Sequence, residues 1–259
     1  MNTGKVYLIG AGPGDPELIT IKAVNALAMA QVVLIDDLVN RALLAYAPTA
    51  RMIEVGKRGG CKSTPQHFIN RMMIALAEQG QVVARLKGGD PFLFGRGGEE
   101  MLALQAAGIA VEIVPGITSG IAVPASIGIP VTHRAYTHGV TFVTGHTQDG
   151  ASPNWSALTA TGTTLVIYMG IKHLSEIVND ILKTGMPAST PVAAIQQGTL
   201  PEQRHIISTL GMLPMAVKQA GLASPAIIVV GDVVRLAQAD KAVADNTVLE
   251  SLFATPLVA

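Results

Sequence analysis

Short apolar runs alternate with polar or glycine-rich breaks along most of this chain. Lys5-Val6-Tyr7-Leu8-Ile9, Val32-Val33-Leu34-Ile35, Met52-Ile53-Glu54-Val55, Val82-Val83-Ala84-Arg85-Leu86 and Val111-Glu112-Ile113-Val114 are short and mostly aliphatic, so they predict strands. Helical periods lie between them. Ile19, Ile21, Val24 and Leu27 mark one helix; Phe68, Ile69, Met72, Met73 and Leu76 predict a single buried stripe on a second; residues 98–107 predict a third. Ser63-Thr64-Pro65 offers the second helix a hydroxyl cap and a proline at its first position. Strands alternating with helices in this way predict a mostly parallel sheet with right-handed crossovers.

The second half has a different texture. Val140–Thr144, Thr164–Tyr168, Val192–Ile195, Arg204–Thr209 and Ala226–Val230 predict strands, with helices near 173–184 and 212–220. Leu174, Ile177, Val178, Ile181 and Leu182 share one face of the first of these helices. Residues 198–203 separate two strands by too little chain for a helical crossover, which predicts a mixed sheet. Pro115 to Pro130, rich in Pro, Gly and Ser, is expected to be the junction. The fold class is therefore α/β, with an N-terminal domain over 1–115, a C-terminal domain over 116–240 and a tail over 241–259.

In an open parallel sheet, ligands meet the C-terminal strand ends. That edge should gather residues 10–16, 36–40, 56–60, 88–98 and 115–120. The run from Gly88 to Glu100 stands out, with Gly at 88, 89, 95, 97 and 98 and an Arg-Gly-Gly-Glu step behind a strand. Five glycines suit close backbone approach to a ligand and φ above zero. Among charged groups from 57 to 134, eight Lys/Arg (57, 58, 62, 71, 85, 87, 96, 134) face five Asp/Glu (78, 90, 99, 100, 112). Several are expected in loops, and Arg96 and Arg134 offer planar forks suited to carboxylates.

Composition narrows the classes further. Hydrophobic residues make up 49% of the 259, charged residues 14% and aromatics 4%, so the core is aliphatic. Zero formal net charge provides no long-range field for nucleic acid or an anionic membrane. No apolar stretch reaches the roughly 20 residues of a membrane span, and no secretory leader is visible. The single cysteine, Cys61, excludes an intrachain disulfide and fits a cytoplasmic setting. No metal site is expected, because the six histidines lack the paired helical spacing of zinc ligands. Gly10-Ala11-Gly12-Pro13-Gly14-Asp15 is not a dinucleotide fingerprint: Asp15 stands where the third glycine belongs, placing negative charge where a pyrophosphate would dock.

Taken together, residues 6–15, Val55-Gly56-Lys57-Arg58, 85–100, Val114-Pro115-Gly116-Ile117-Thr118-Ser119, 128–134, Val143-Thr144-Gly145-His146 and Tyr168-Met169-Gly170 closely resemble the tetrapyrrole methylase superfamily, a class III S-adenosylmethionine-dependent group. The Val-Gly-Lys-Arg and Phe-Gly-Arg-Gly-Gly-Glu-Glu stretches favour its uroporphyrinogen-III C-methyltransferase branch, in a stand-alone form. The resemblance implies two methyl transfers from S-adenosylmethionine to uroporphyrinogen III, at C2 and C7, giving precorrin-2 and S-adenosylhomocysteine. A methylase of a later precorrin is the alternative, and a nicotinamide-dependent dehydrogenase a remote one. It also implies an active site in the cleft between the two domains, and a homodimer. Pro13, Gly88, Gly89, Asp90, Leu93, Thr118, Ser119, Met169, Gly198 and Ala226 should surround the cofactor. Asp36 matches the family's proton acceptor and Lys57 its donor, and orientation of substrate by hydrogen bonds is the alternative for both. Arg96, Glu99 and Arg134 are candidates for gripping the acidic arms and pyrrole N–H groups. Asp37 departs from the family, whose members often carry Arg there.

Overall fold

The computed structural model describes residues 4–56, 64–145 and 152–237. The chain divides into two compact units at Ser119/Gly120. Lys57, Cys61, Ser63, His146 and the tail over 241–259 lie outside the described residues.

The first unit is a five-stranded sheet of β1 (Lys5–Gly10), β2 (Val32–Ile35), β3 (Arg51–Glu54), β4 (Val82–Lys87) and β5 (Ala110–Val114), in the order β3-β2-β4-β1-β5. Every pairing is parallel. Helices α1 (Ile21–Ala28), α2 (Gln66–Glu78) and α3 (Gly97–Ala106) connect the strands. Tyr7, Ile9, Val33, Ile35, Ala84 and Leu86 pack with α1 on one face; Val6, Leu8, Val32, Leu34 and Val83 pack with α2 and α3 on the other. Burial on both faces is what makes these strands near-continuous apolar runs rather than alternating ones.

Two helix expectations need correction. Ile21 is 80% exposed. The Thr20 hydroxyl accepts from the Ala23 amide at 3.2 Å, so Ile21 is the first helical residue and faces outward. On α2 the buried set is Ile69, Met73, Leu76 and Ala77, while Met72 is half-buried and Phe68 exposed. The apolar arc is thus turned away from Phe68. Pro65 is itself the N-cap, its carbonyl accepting from the Phe68 and Ile69 amides, and no side chain caps this helix. Proline stands one residue outside the expected first position.

The second unit carries β6 (Val140–Thr144), β7 (Thr164–Tyr168), β8 (Pro191–Gln196), β9 (Arg204–Thr209) and β10 (Ala226–Val230) in the order β6-β7-β10-β8-β9. Only β6 and β7 pair in parallel; the other pairings are antiparallel, so the sheet is mixed. The expected junction holds helix α4 (Ser119–Ala125), with Pro124 inside it. A six-residue helix that the pattern did not announce, α5 (Trp155–Ala160), is capped by Asn154. On α6 (Leu174–Lys183) Leu174, Ile177, Val178 and Ile181 are buried and Leu182 packs at the margin; α7 (Leu213–Ala220) adds Leu213 and Val217 to the same core.

Candidate active site

Because β1, β4 and β5 run in parallel, their following loops emerge on one edge, and backbone stitches them together. Gly12 and Gly89 form an isolated antiparallel bridge, with the Gly89 amide donating to the Gly12 carbonyl at 2.7 Å. Gly10, Gly89 and Gly116 meet so closely that a Cβ on Gly116 would lie 2.4 Å from the Gly89 carbonyl oxygen. Gly89 adopts φ +67°, and the direction its side chain would take leads to the Ser119 amide and hydroxyl, each 3.8 Å from that point, with Thr118 Cα at 3.9 Å. Gly89, Thr118 and Ser119, three residues expected at the cofactor, therefore share one patch. Asp90 ties the loops: its Oδ1 accepts from the Phe92 amide at 2.8 Å and its Oδ2 from the Gly116 amide at 3.1 Å. Asn40 Nδ2 donates to the Gly14 carbonyl at 2.8 Å, fastening the β2 loop to the half-buried Pro13 turn.

The glycines of the β4 loop work differently from the expectation. Only Gly89 among the five has positive φ; the left-handed residues are otherwise Phe94 (54°) and Arg96 (58°). Gly95 and Gly97 are needed because the chain folds over Pro91, whose carbonyl oxygen would lie 2.7 and 2.4 Å from their Cβ atoms. They serve the loop's own packing rather than a ligand. Gly98 has open space around it, Gly88 faces Leu38, and Leu93 is half-buried.

Arg96 occupies the N-cap position of α3 without capping it through its side chain, which instead grips Glu99 with both arms of its fork, Nε to Oε1 at 2.9 Å and Nη2 to Oε2 at 2.6 Å. This hydrogen bonding holds the Arg96 pKa above its ordinary value and the Glu99 pKa below it. Both side chains are about half exposed.

Asp36, at the end of β2, sits over a buried charge cluster that the sequence reading did not single out. Arg85 Nη2 donates to Asp36 Oδ1 at 2.7 Å, and Lys87 Nζ lies 3.7 Å from Oδ2. Glu100 Oε1 accepts from Arg85 Nε and Lys87 Nζ, both at 3.1 Å, and from Gln66 Nε2 at 2.9 Å. Arg85 and Lys87 both belong to β4 and are buried: Arg85 lies in the strand the pattern predicts, and Lys87 extends that strand by one residue. Burial, followed by the neighbouring Arg85 charge, lowers the pKa of Lys87 below the ordinary lysine value. Alternation of hydrophobic residues could not reveal them, since a strand position carrying Arg or Lys reads as solvent-facing.

In the second unit, topology gathers three more expected residues. β10 runs antiparallel to both β7 and β8, so its first residue lies beside their last ones: Ile227 pairs with Tyr168 and Ala226 with Gln196. Met169, Gly198 and Ala226 therefore share one sheet edge. Met169 is left-handed at φ 55° and 53% exposed. Gly198 lies between left-handed Gln197 and Thr199 and packs on Val123, which a Cβ would strike. Arg134 projects from the exposed loop bridged at His133 and Thr137, beside a concavity of about 790 Å³ lined by residues 132–135, 137 and 138. Among the described residues no group of His, Cys, Asp or Glu could hold a metal ion, and no helix is long and apolar enough to cross a membrane.

Residues 5–214 match the family model of the tetrapyrrole (corrin/porphyrin) methylases. The chain belongs to this family. A uroporphyrinogen-III C-methyltransferase of Pseudomonas aeruginosa is 54% identical to this methylase over 233 residues, which span 90% of this chain and 95% of that protein. Among solved structures, uroporphyrin-III C-methyltransferase from Thermus thermophilus complexed with S-adenyl homocysteine superposes with a TM-score of 0.78 at 39% identity, covering 90% of this chain and 99% of that one. A cobalt precorrin-4 methyltransferase superposes equally well, TM-score 0.80, but at 28% identity, covering 89% and 95%. The methylase fold is thus shared across substrates, whereas sequence identity is higher with the uroporphyrinogen enzymes.

Proposed function

We propose that this methylase transfers two methyl groups from S-adenosylmethionine to C2 and C7 of uroporphyrinogen III, yielding precorrin-2 and two molecules of S-adenosylhomocysteine. The observation that carries this reading is the 54% identity, over nearly the full length of both chains, to a protein named for that substrate. The 28% identity to a precorrin-4 enzyme of the same fold argues against the later corrin substrate.

The residues present fit the donor. Adenosine and a methionine backbone are recognised by amides, carbonyls and hydroxyls at short range, which the open left-handed Gly89 beside the Ser119 amide and hydroxyl provides. The proposed contacts from the first unit are Pro13, Gly88, Gly89, Leu93, Thr118 and Ser119, with Asp90 holding their loops in place; the second unit contributes Met169, Gly198 and Ala226. The donor supplies an electrophilic methyl on a positively charged sulfur. The ring carbon's electron pair forms the new C–C bond as the methyl–sulfur bond breaks, and a proton must leave the macrocycle. Asp36 is the proposed acceptor and Lys57 the proposed donor. Arg96, oriented by Glu99, and the exposed Arg134 are the proposed partners of the substrate's carboxylate arms. Since positive charge on sulfur is consumed rather than created, alignment matters more than a strong nucleophile in the protein. A cytoplasmic homodimer is the proposed setting.

Equilibrium titration with S-adenosylhomocysteine and with NADH tests the donor, and turnover of uroporphyrinogen III against a later precorrin tests the acceptor. The proposal expects binding of the first ligand only and turnover of uroporphyrinogen III. Preference for NADH, or for the later precorrin, would overturn it.

A further inference from the structure

The charge cluster beneath Asp36 is costly to build. β4 alternates, so Arg85 and Lys87 point with Val83 toward the face covered by α2 and α3. There the side chains of Arg85, Lys87 and Glu100 are 2%, 4% and 0% exposed. Ions removed from water lose several kcal/mol each unless well compensated, and an apolar trio of similar volume would often be as stable. Compensation inside is incomplete: two cations meet one carboxylate, and Arg85 Nη1 and Glu100 Oε2 are buried without hydrogen-bond partners. Asp36, 31% exposed, brings the cluster to two cations and two carboxylates. Its two oxygens face different cations, Oδ1 toward Arg85 and Oδ2 toward Lys87, which fixes the plane of the carboxylate as well as its place.

We propose that Arg85, Lys87 and Glu100 are positioning residues that orient the Asp36 carboxylate and tune its charge from behind, themselves closed off from solvent. This rests on the reading of Asp36 as proton acceptor given above. The groups around Asp36 are Arg85 and Lys87 from β4, Glu100 from α3 with Gln66 of α2 behind it, Asp37 next in its own loop, and Glu54 of the adjoining β3, which pairs with Arg41. Removing a cation from this set disfavours the ionised acceptor, and removing an anion favours it.

The test is the pH dependence of kcat in the full-length enzyme, for wild type, Lys87→Met, Glu100→Gln and Asp36→Asn, with S-adenosylhomocysteine affinity and melting temperature measured alongside. Lys87→Met is expected to move the acid limb up by about one pH unit and Glu100→Gln to move it down by a similar amount. The donor's KM and S-adenosylhomocysteine affinity should hold. In an Asp36→Asn background, which should itself lower kcat about 100-fold, neither second change should move kcat further. Unmoved limbs with a lowered melting temperature would reduce the cluster to a structural role and overturn the inference while leaving Asp36 as acceptor. Full kcat in Asp36→Asn would overturn the reading of Asp36 itself. If Glu100→Gln does not fold, the shift in Lys87→Met decides alone, since that change removes a buried charge at similar length.

Discussion

The Gly116 amide donates to Asp90 Oδ2 at 3.1 Å, so a residue after β4 holds the loop after β5, and its other oxygen holds the turn at Phe92. A residue expected to bind the cofactor is thereby seen to shape the loops around it. Asp90→Ala should cost about 1–3 kcal/mol in urea unfolding, because two amides lose their acceptor. Calorimetry should show S-adenosylhomocysteine binding weakened by about tenfold or more, equivalent to roughly 1.4 kcal/mol. Unchanged affinity would mean the loops hold their shape without it.

Two glycines give opposite expectations. A methyl at Gly116 would meet the Gly89 carbonyl oxygen at 2.4 Å and Gly10 Cα at 2.7 Å, all backbone that cannot swing aside. Gly116→Ala should destabilise by at least about 1–3 kcal/mol. Gly98→Ala, in the first turn of α3 with nothing within 4 Å, should stabilise by about 0.5–1 kcal/mol. Paired denaturation curves check both signs.

All ten strands among the described residues were legible because each is a short run built on aliphatic residues between breakers, and the six-residue connection after Gln197 announced the antiparallel turn between β8 and β9. The stripe on α2 was legible only in part: Phe68 has the right spacing but lies at the margin of the arc, and spacing does not say which margin meets the sheet. Glycine count pointed to the right loop for partly the wrong reason, since Gly95 and Gly97 accommodate Pro91. Arg85, Lys87 and Glu100 were invisible as a site because their meeting depends on β4 register and on the face α3 covers, neither of which is local in sequence. Helix α5 was missed for its length of six residues.

Arg96 separates binding from stability. Its pair with Glu99 is half exposed, and such pairs contribute at most about 1 kcal/mol. Arg96→Ala should therefore leave thermal unfolding nearly unchanged, within about 1 kcal/mol, while raising the KM for uroporphyrinogen III and sparing that for the donor. A large loss of stability would recast the pair as a structural cap on α3.

Glu112 offers a test in acid. Hydrogen bonds from Lys22 and then Lys5 pull its pKa down to about 2. A carboxylate depressed in the folded state adds stability that is present above its unfolded pKa, about 4.3, and is lost as pH falls from there toward 2. The melting temperature of wild type should exceed that of Glu112→Gln at pH 6, with the gap closing between pH 4 and pH 2. Because the group is at the surface, added salt should narrow the gap at pH 6 as well.

The most direct measurement counts methyl groups. Anaerobic incubation of the protein with uroporphyrinogen III and excess S-adenosylmethionine bearing a labelled methyl, followed by mass spectrometry of the tetrapyrrole, should show two labels per macrocycle and two S-adenosylhomocysteine per product. A macrocycle that stays unlabelled while the donor is bound, or one that takes label only when supplied as a later precorrin, would contradict the account.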